Sequence, residues 1–358
     1  MKRLALGLTG LLLLGAIYAG CGDDETKPTP SGATCAPTDP SCPAVGIDSN
    51  CLALTDNTGL DKFVLRLSQL TITAPAALST TLMQGIVGDG VTINLPTCNV
   101  SGLGTFSFMF EFDKTTGMVR AGGALPEENP GDGYCLAYDP AHNIVPVETE
   151  SNLQADGTFS TAPFEQLTVP VYLDLAASAV VYLPLRQARV INAQISADQN
   201  CIGSYNLAEL TPSDNCVAAP SIGIYYFVSA GDLEGYITLE EADAVIVDEV
   251  AMSLCVLLSG DTGTYGDGGS PQRCTRDGND ELILEGDWCS TTNSAGGCAD
   301  SMALAATIGA SAAELRTDCP SSSSSGTGGG GGSAGGAGGQ GGSAGGAGGA
   351  GGAGGAGG

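Results

Sequence analysis

Thirteen cysteines run through this 358-residue chain, and how they are used decides what it can fold into. No two of them stand at the C-x2-C to C-x4-C spacing of a zinc site, and His142 is the sole histidine, so a structural metal cluster is a poor reading. The front of the chain points elsewhere. Lys2 and Arg3 precede an apolar run from Leu4 to Ala19, about the length of an export-signal core and short of the roughly twenty residues that cross a bilayer. An exported chain meets oxidising conditions, in which cysteines pair. With Cys21 set aside, Cys35, Cys42, Cys51, Cys98, Cys135, Cys201, Cys216, Cys255, Cys274, Cys289, Cys298 and Cys319 remain, an even set that reads as a disulfide framework. Its connectivity is open from sequence, although Cys35 with Cys42 makes a plausible local loop.

Cys21 is set aside because of where the signal must be cut. Ordinary cleavage wants small residues at the first and third positions before the cut, yet a cut after Ala19 meets Ile17 and a cut after Gly20 meets Tyr18. The stretch Tyr18-Ala19-Gly20-Cys21 resembles the lipobox of bacterial lipoproteins, with Tyr18 where that family usually has an aliphatic residue. The resemblance implies a signal peptide over residues 1–20 and a diacylglyceryl group on the Cys21 thiol. Two or three acyl chains, at about 0.8 kcal/mol per buried methylene, then anchor the chain to a membrane.

Losing Lys2 and Arg3 takes the formal charge from −27 to −29. Such a surface repels nucleic acid and favours solubility and cations. Residues 21–50, with an acidic cluster at Asp23-Asp24-Glu25 and several prolines, are too polar to pack and read as a flexible lipidated tether. Residues 321–358 are nearly all Gly with Ala, Ser and Gln, and repeat Ala-Gly-Gly without the prolines of collagen. They read as a disordered tail spanning roughly 30 to 40 Å, either a surface fringe or a linker toward something further. Between these ends, residues 51–320 are long enough for a sizeable core.

Within that span, Phe63 to Thr73 alternates and is rich in β-branched residues, which predicts a strand. Thr105 to Asp113 and Met118 to Arg120 predict a hairpin, with Gly117 supplying the positive φ of a tight turn. Further extended runs are Tyr134 to Tyr138, Ile144 to Glu148, Gly157 to Ser160, Gln166 to Leu173, Val180 to Ile195 and Ile222 to Val228; Pro184 marks an edge or bulge. Short strands separated by Gly, Asp and Pro predict a mainly β, antiparallel, sandwich-like domain. One or two C-terminal helices follow in this reading. Ala244, Val247, Ala251, Leu254 and Leu258 recur at three and four residues, predicting a helix over about 238–258 with a Thr238/Glu241 capping box, and Ser301 to Arg316 predicts another.

Chemistry-bearing patterns are sparse, and no residue is assigned a catalytic role. Two G-x-S-x-G matches, at Ser333 and Ser343, lie in the repetitive tail and lack the strand and helix of a nucleophile elbow. Gly88-Asp89-Gly90 lacks the third glycine of a dinucleotide loop. His142 reads as a surface imidazole in a turn. The richest stretch sets Gly235 at the sixth position of a calcium loop of EF-hand type, which makes Asp232, Glu234, the Tyr236 carbonyl, Thr238 and Glu241 candidate calcium ligands. Ala230 holds the place of the leading carboxylate, and helix capping explains Thr238 and Glu241 without a metal. Trp288, the sole tryptophan, packs on a nearby disulfide in the plainer reading and stacks on a sugar in the other.

Tyr18-Ala19-Gly20-Cys21, Asn200-Cys201-Ile202-Gly203-Ser204-Tyr205-Asn206, Gly235 to Asp243 and the Gly-Ala-Ser tail together look like uncharacterised predicted lipoproteins of myxobacteria. That resemblance implies a lipid anchor in the outer or inner membrane of a Gram-negative envelope, facing periplasm or exterior, and carries no activity to transfer. The expected role is structural or ligand-binding, with a glycan or a protein of the cell surface as partner. A secreted hydrolase using two carboxylates on a glycan is the alternative, and it predicts a deep cleft beside Trp288.

Overall fold

In the computed structural model the described residues are 51–79, 93–94, 102–206, 208–210, 218–219, 222–261, 263–265 and 271–319. The chain is mainly β. Eight longer strands carry the architecture: β1 Lys62–Ala74, β2 Ser107–Asp113, β3 Met118–Ala124, β4 Val147–Glu150, β5 Phe164–Tyr172, β6 Val180–Ile191, β7 Asp232–Thr238 and β8 Ser301–Ala312. They hydrogen-bond antiparallel in the order β4-β3-β2-β1-β8-β7-β6-β5. Each strand therefore lies beside its sequence neighbour, the last pairs with the first, and the β4–β5 step is left. These eight strands belong to one continuous sheet, and smaller sheets of two or four short strands accompany it among the described residues.

That sheet curls until β3 and β5 touch. At Gly123 a Cβ would stand 2.6 Å from Pro170 Cδ, so a residue without a side chain is what lets these strands approach. The hydrogen bonds Ala162 N to Glu150 O (2.9 Å) and Asn152 N to Ser160 O (2.8 Å) tie the end of β4 to the approach to β5. Pro170 sits in β5, the end of the ladder, and Pro184 in β6 lies beyond the last β7 pairing at Arg186; neither interrupts a ladder that needs its missing N–H.

Alternation along the strands fills the inside. Phe63, Leu65 and Leu67 of β1 meet Phe108, Phe110 and Phe112 of β2, Leu167 and Val169 of β5, and Ile308, Ala310 and Ala312 of β8 in one buried cluster. Phe63 stacks on Phe112 at 5.1 Å, and Phe159 meets Phe112 edge-on at 5.1 Å. The opposite face of β1 is covered too, because Val64 packs with Met109, Ala124, Tyr134 and Ala313.

The expected hairpin is present, with Gly117 at φ +70°. The expected helices are not. Residues 301–312 form β8, the strand between β1 and β7, buried without a break from Ile308 to Ala312, with Ile308, Ala310 and Ala312 in the inner cluster. Alanine favours helix locally, but here its small side chain lets three strands pack closely, and tertiary burial overrides the preference. The helix expected over 238–258 is cut in two: α1 Leu239–Ala244 and α2 Leu254–Ser259. The β-branched run Val245-Ile246-Val247 between them is extended, and Ala251 takes φ +50°. The capping box itself forms, since Thr238 Oγ1 accepts the Glu241 N–H at 3.2 Å.

Candidate functional site

The five residues expected to ring a calcium ion do not converge. Asp232 to Thr238 is β7, an extended strand whose rise of about 3.3 Å per residue puts its ends about 20 Å apart, whereas a calcium loop folds its ligands onto one point. Each of the four candidate side chains has another partner. Asp232 accepts from Asn192 at 3.1 Å, Glu234 pairs with Arg189 at 3.0 Å, and Thr238 donates to Glu241 at 2.8 Å. Glu241 also takes the Arg186 guanidinium, with Nε at 3.0 Å from Oε1. Burial pushes the Glu241 carboxyl up in pKa, but Arg186 and Thr238 outweigh it and hold the group below its ordinary range. The loop reading gives way to a charged face on β6 and β7.

An aromatic pair completes that face. Tyr236, on the same side of β7 as Glu234, stacks on Trp288 with centroids 6.5 Å apart and planes at 30°. The Tyr236 hydroxyl donates to the Ser290 carbonyl at 3.4 Å, and the Trp288 indole donates to Asn293 at 3.3 Å. Tyr236 is 7% exposed, while Trp288 above it stays half-buried. The tryptophan's segment is held on β8 at close range: a Cβ at Gly286 would sit 1.9 Å from the Ser301 carbonyl oxygen. Cys289 and Cys298, with Cα atoms 5.0 Å apart, close the loop that follows, and Asp300 accepts Ser290 N at 2.8 Å and Ser290 Oγ at 2.6 Å. The sugar-stacking alternative for Trp288 thus gains flanking groups that sequence spacing did not reveal.

Two groups of potential metal ligands also form, Asp243 with Cys255 and Cys274, and Cys289 and Cys298 with Asp300. In each, the two sulfurs are bonded to one another, so neither offers a thiolate. Asp243 is wholly buried; Oδ1 accepts Ser253 Oγ at 3.0 Å and Cys274 N at 2.9 Å, and Oδ2 accepts Arg276 at 2.9 Å. Burial raises its pKa, but these three partners together hold it below the ordinary carboxylate value. It is a clamp between α1, α2 and the 272–276 segment, and none of its partners could be paired from sequence.

A second buried charge escaped the sequence reading as well. Arg66, 2% exposed in the middle of β1, donates to Ser107 Oγ at 3.0 Å, to Asn94 Oδ1 at 3.3 Å and to the carbonyls of Ile93 and Phe106. Its guanidinium carbon lies 5.3 Å from the Tyr134 ring centre, and burial pushes the Tyr134 hydroxyl up to about 12. A groove of about 140 Å³ on β1 to β4 is lined by Lys62, Glu111, Asp113, Met118, Arg120 and Glu148. Lys62 at 2.9 Å and Arg120 at 2.5 Å neutralise its Glu111. His142 is in a turn, as expected, 51% exposed at its side chain, and bonded to Asp139.

Cys21, the tether, Cys35, Cys42, Cys98, Cys216 and the tail lie outside the described residues. Comparison with protein-family models, with curated proteins and with solved structures finds no match.

Proposed function

We propose that this chain is a lipid-anchored protein of the cell envelope whose β domain binds a surface glycan through the Trp288 face. The observation that carries the reading is the half-buried Trp288 stacked on Tyr236, next to the Arg186–Glu241 and Arg189–Glu234 pairs. An aromatic plane receives the apolar face of a sugar, and fixed planar hydrogen-bonding groups beside it orient the hydroxyls. Binding is favoured over hydrolysis because Glu241 is held ionised by Arg186 and therefore has no proton to give a leaving group at neutral pH. Four cysteine pairs at disulfide distance support an oxidising address. The address rests otherwise on Cys21.

Because Trp288 is the sole tryptophan, its fluorescence reports the face directly. Titration with fragments of envelope polysaccharide is expected to shift the emission with saturation, and Trp288→Ala is expected to abolish retention on the same polysaccharide while leaving the melting temperature within a few degrees. Unchanged retention by that variant overturns the site. Mass spectrometry of the mature N-terminus checks the anchor, which an unmodified Cys21 would overturn.

A further inference from the structure

The turn between β3 and β4 holds an Asp–Pro bond, Asp139–Pro140. Asp139 and Ile144 close the turn with two hydrogen bonds, Asp139 N to Ile144 O at 2.7 Å and Ile144 N to Asp139 O at 2.9 Å. The Asp139 carbonyl oxygen accepts a second N–H, from His142, at 3.1 Å. Two backbone donors on one carbonyl oxygen are the makings of an oxyanion hole, and the carbonyl they polarise is the one joined to Pro140. On the same residue, carboxylate Oδ1 accepts Ala141 N at 3.2 Å, and Oδ2 is 2.5 Å from His142 Nδ1. The imidazole is held in turn by stacking on Tyr182, 4.5 Å between centroids and 15° between planes. Asn143 takes φ +58° and donates to Thr168 Oγ1 at 3.4 Å, tying the turn to β5.

We infer that Asp139–Pro140 is a self-cleaving peptide bond, with the Asp139 carboxylate as nucleophile and His142 as proton donor. The carboxylate oxygen attacks its own main-chain carbonyl carbon, forming a five-membered cyclic anhydride as the bond to the Pro140 nitrogen breaks. Proline suits the leaving role, because its nitrogen is part of a tertiary amide and carries no N–H held elsewhere. That nitrogen takes a proton from the imidazolium of His142, and one water then opens the anhydride to restore the Asp139 carboxyl and create a new one. The sum is hydrolysis of one peptide bond. The charged and titratable groups about the turn are Asp139, His142, Tyr172 from β5 and Tyr182 from β6, both tyrosines held un-ionised well above neutrality by burial. Asp139 is held below its ordinary pKa by its hydrogen bond with His142, which keeps the attacking carboxylate ionised near neutrality.

Cys51–Cys201 and Cys135–Cys319 both span the cut, so the products stay joined until reduced. The test uses the mature full-length chain incubated in buffer near neutral pH. Expected are a non-reduced mass larger by one water and, on reduction, two fragments, the second beginning at Pro140. Asp39–Pro40 in the tether is an internal reference of the same bond type. His142→Gln is expected to slow scission at least about tenfold, and Asp139→Ala to abolish it; circular dichroism of both variants checks that the fold persists. An intact chain after prolonged incubation, cleavage at Asp39–Pro40 at the same rate, or an unchanged rate in a folded His142→Gln variant each overturns the inference.

Discussion

Asp243 shows how a single side chain can organise a region without any local signal. Its carboxylate gathers Ser253, Cys274 and Arg276 from positions spread over more than thirty residues, and hydrogen bonds of this kind are invisible until the chain folds. Asp243→Ala is expected to cost about 2 kcal/mol in urea denaturation, less than a fully buried pair because Arg276 keeps partial exposure. The pH dependence follows from the depressed pKa: the contribution is present above the unfolded carboxylate value of about 4 and fades as pH falls through the lower folded value. A wild-type urea midpoint that drops below about pH 4, and a shallower drop in the variant, is the expected result. Arg66 makes the same point with a cation. Residue alternation put it on the outer face of β1, but the cover supplied by Asn94 and Tyr134 comes from sequence-distant chain.

At the scale of elements, β1 and the β2–β3 hairpin were legible because alternation and turn chemistry agree there. β8 was not, because its alanines are ambiguous alone and its strand state depends on β1 and β7 lying on either side. The Thr238–Glu241 cap was legible for a related reason: four consecutive residues contain the whole motif. The calcium reading of the same stretch meets an extended strand, because a ligand pattern counts residues without knowing whether the backbone turns or runs straight. Gly286 offers a test of how elements are fitted. Gly286→Ala would press a Cβ into the Ser301 carbonyl, so the Trp288 segment must lift from β8. A red shift of the single tryptophan's emission is expected, together with a loss of about 1 to 3 kcal/mol in thermal unfolding.

Across the whole molecule, the disulfides differ most in what they enclose. Cys51–Cys201 joins residues 150 apart, and Cys289–Cys298 residues 9 apart. In the chain-entropy account the first constrains the unfolded state by about 5 kcal/mol and the second by about 2.5 kcal/mol. Replacing each pair by serine should therefore lower the denaturation midpoint about twice as far for the long-range bridge, and equal losses would argue for local strain or unfolded-state structure instead. The cysteine count alone determined that a covalent framework was available, and strand periodicity determined a mainly β chain, since both are properties of composition and local order. Which cysteines meet, that β8 closes the meander against β1, and that Trp288 settles on Tyr236 beside two arginine–carboxylate pairs were decided by tertiary structure. Those contacts join residues tens to hundreds apart, and their free energy exists only once the sheet has curled around its core.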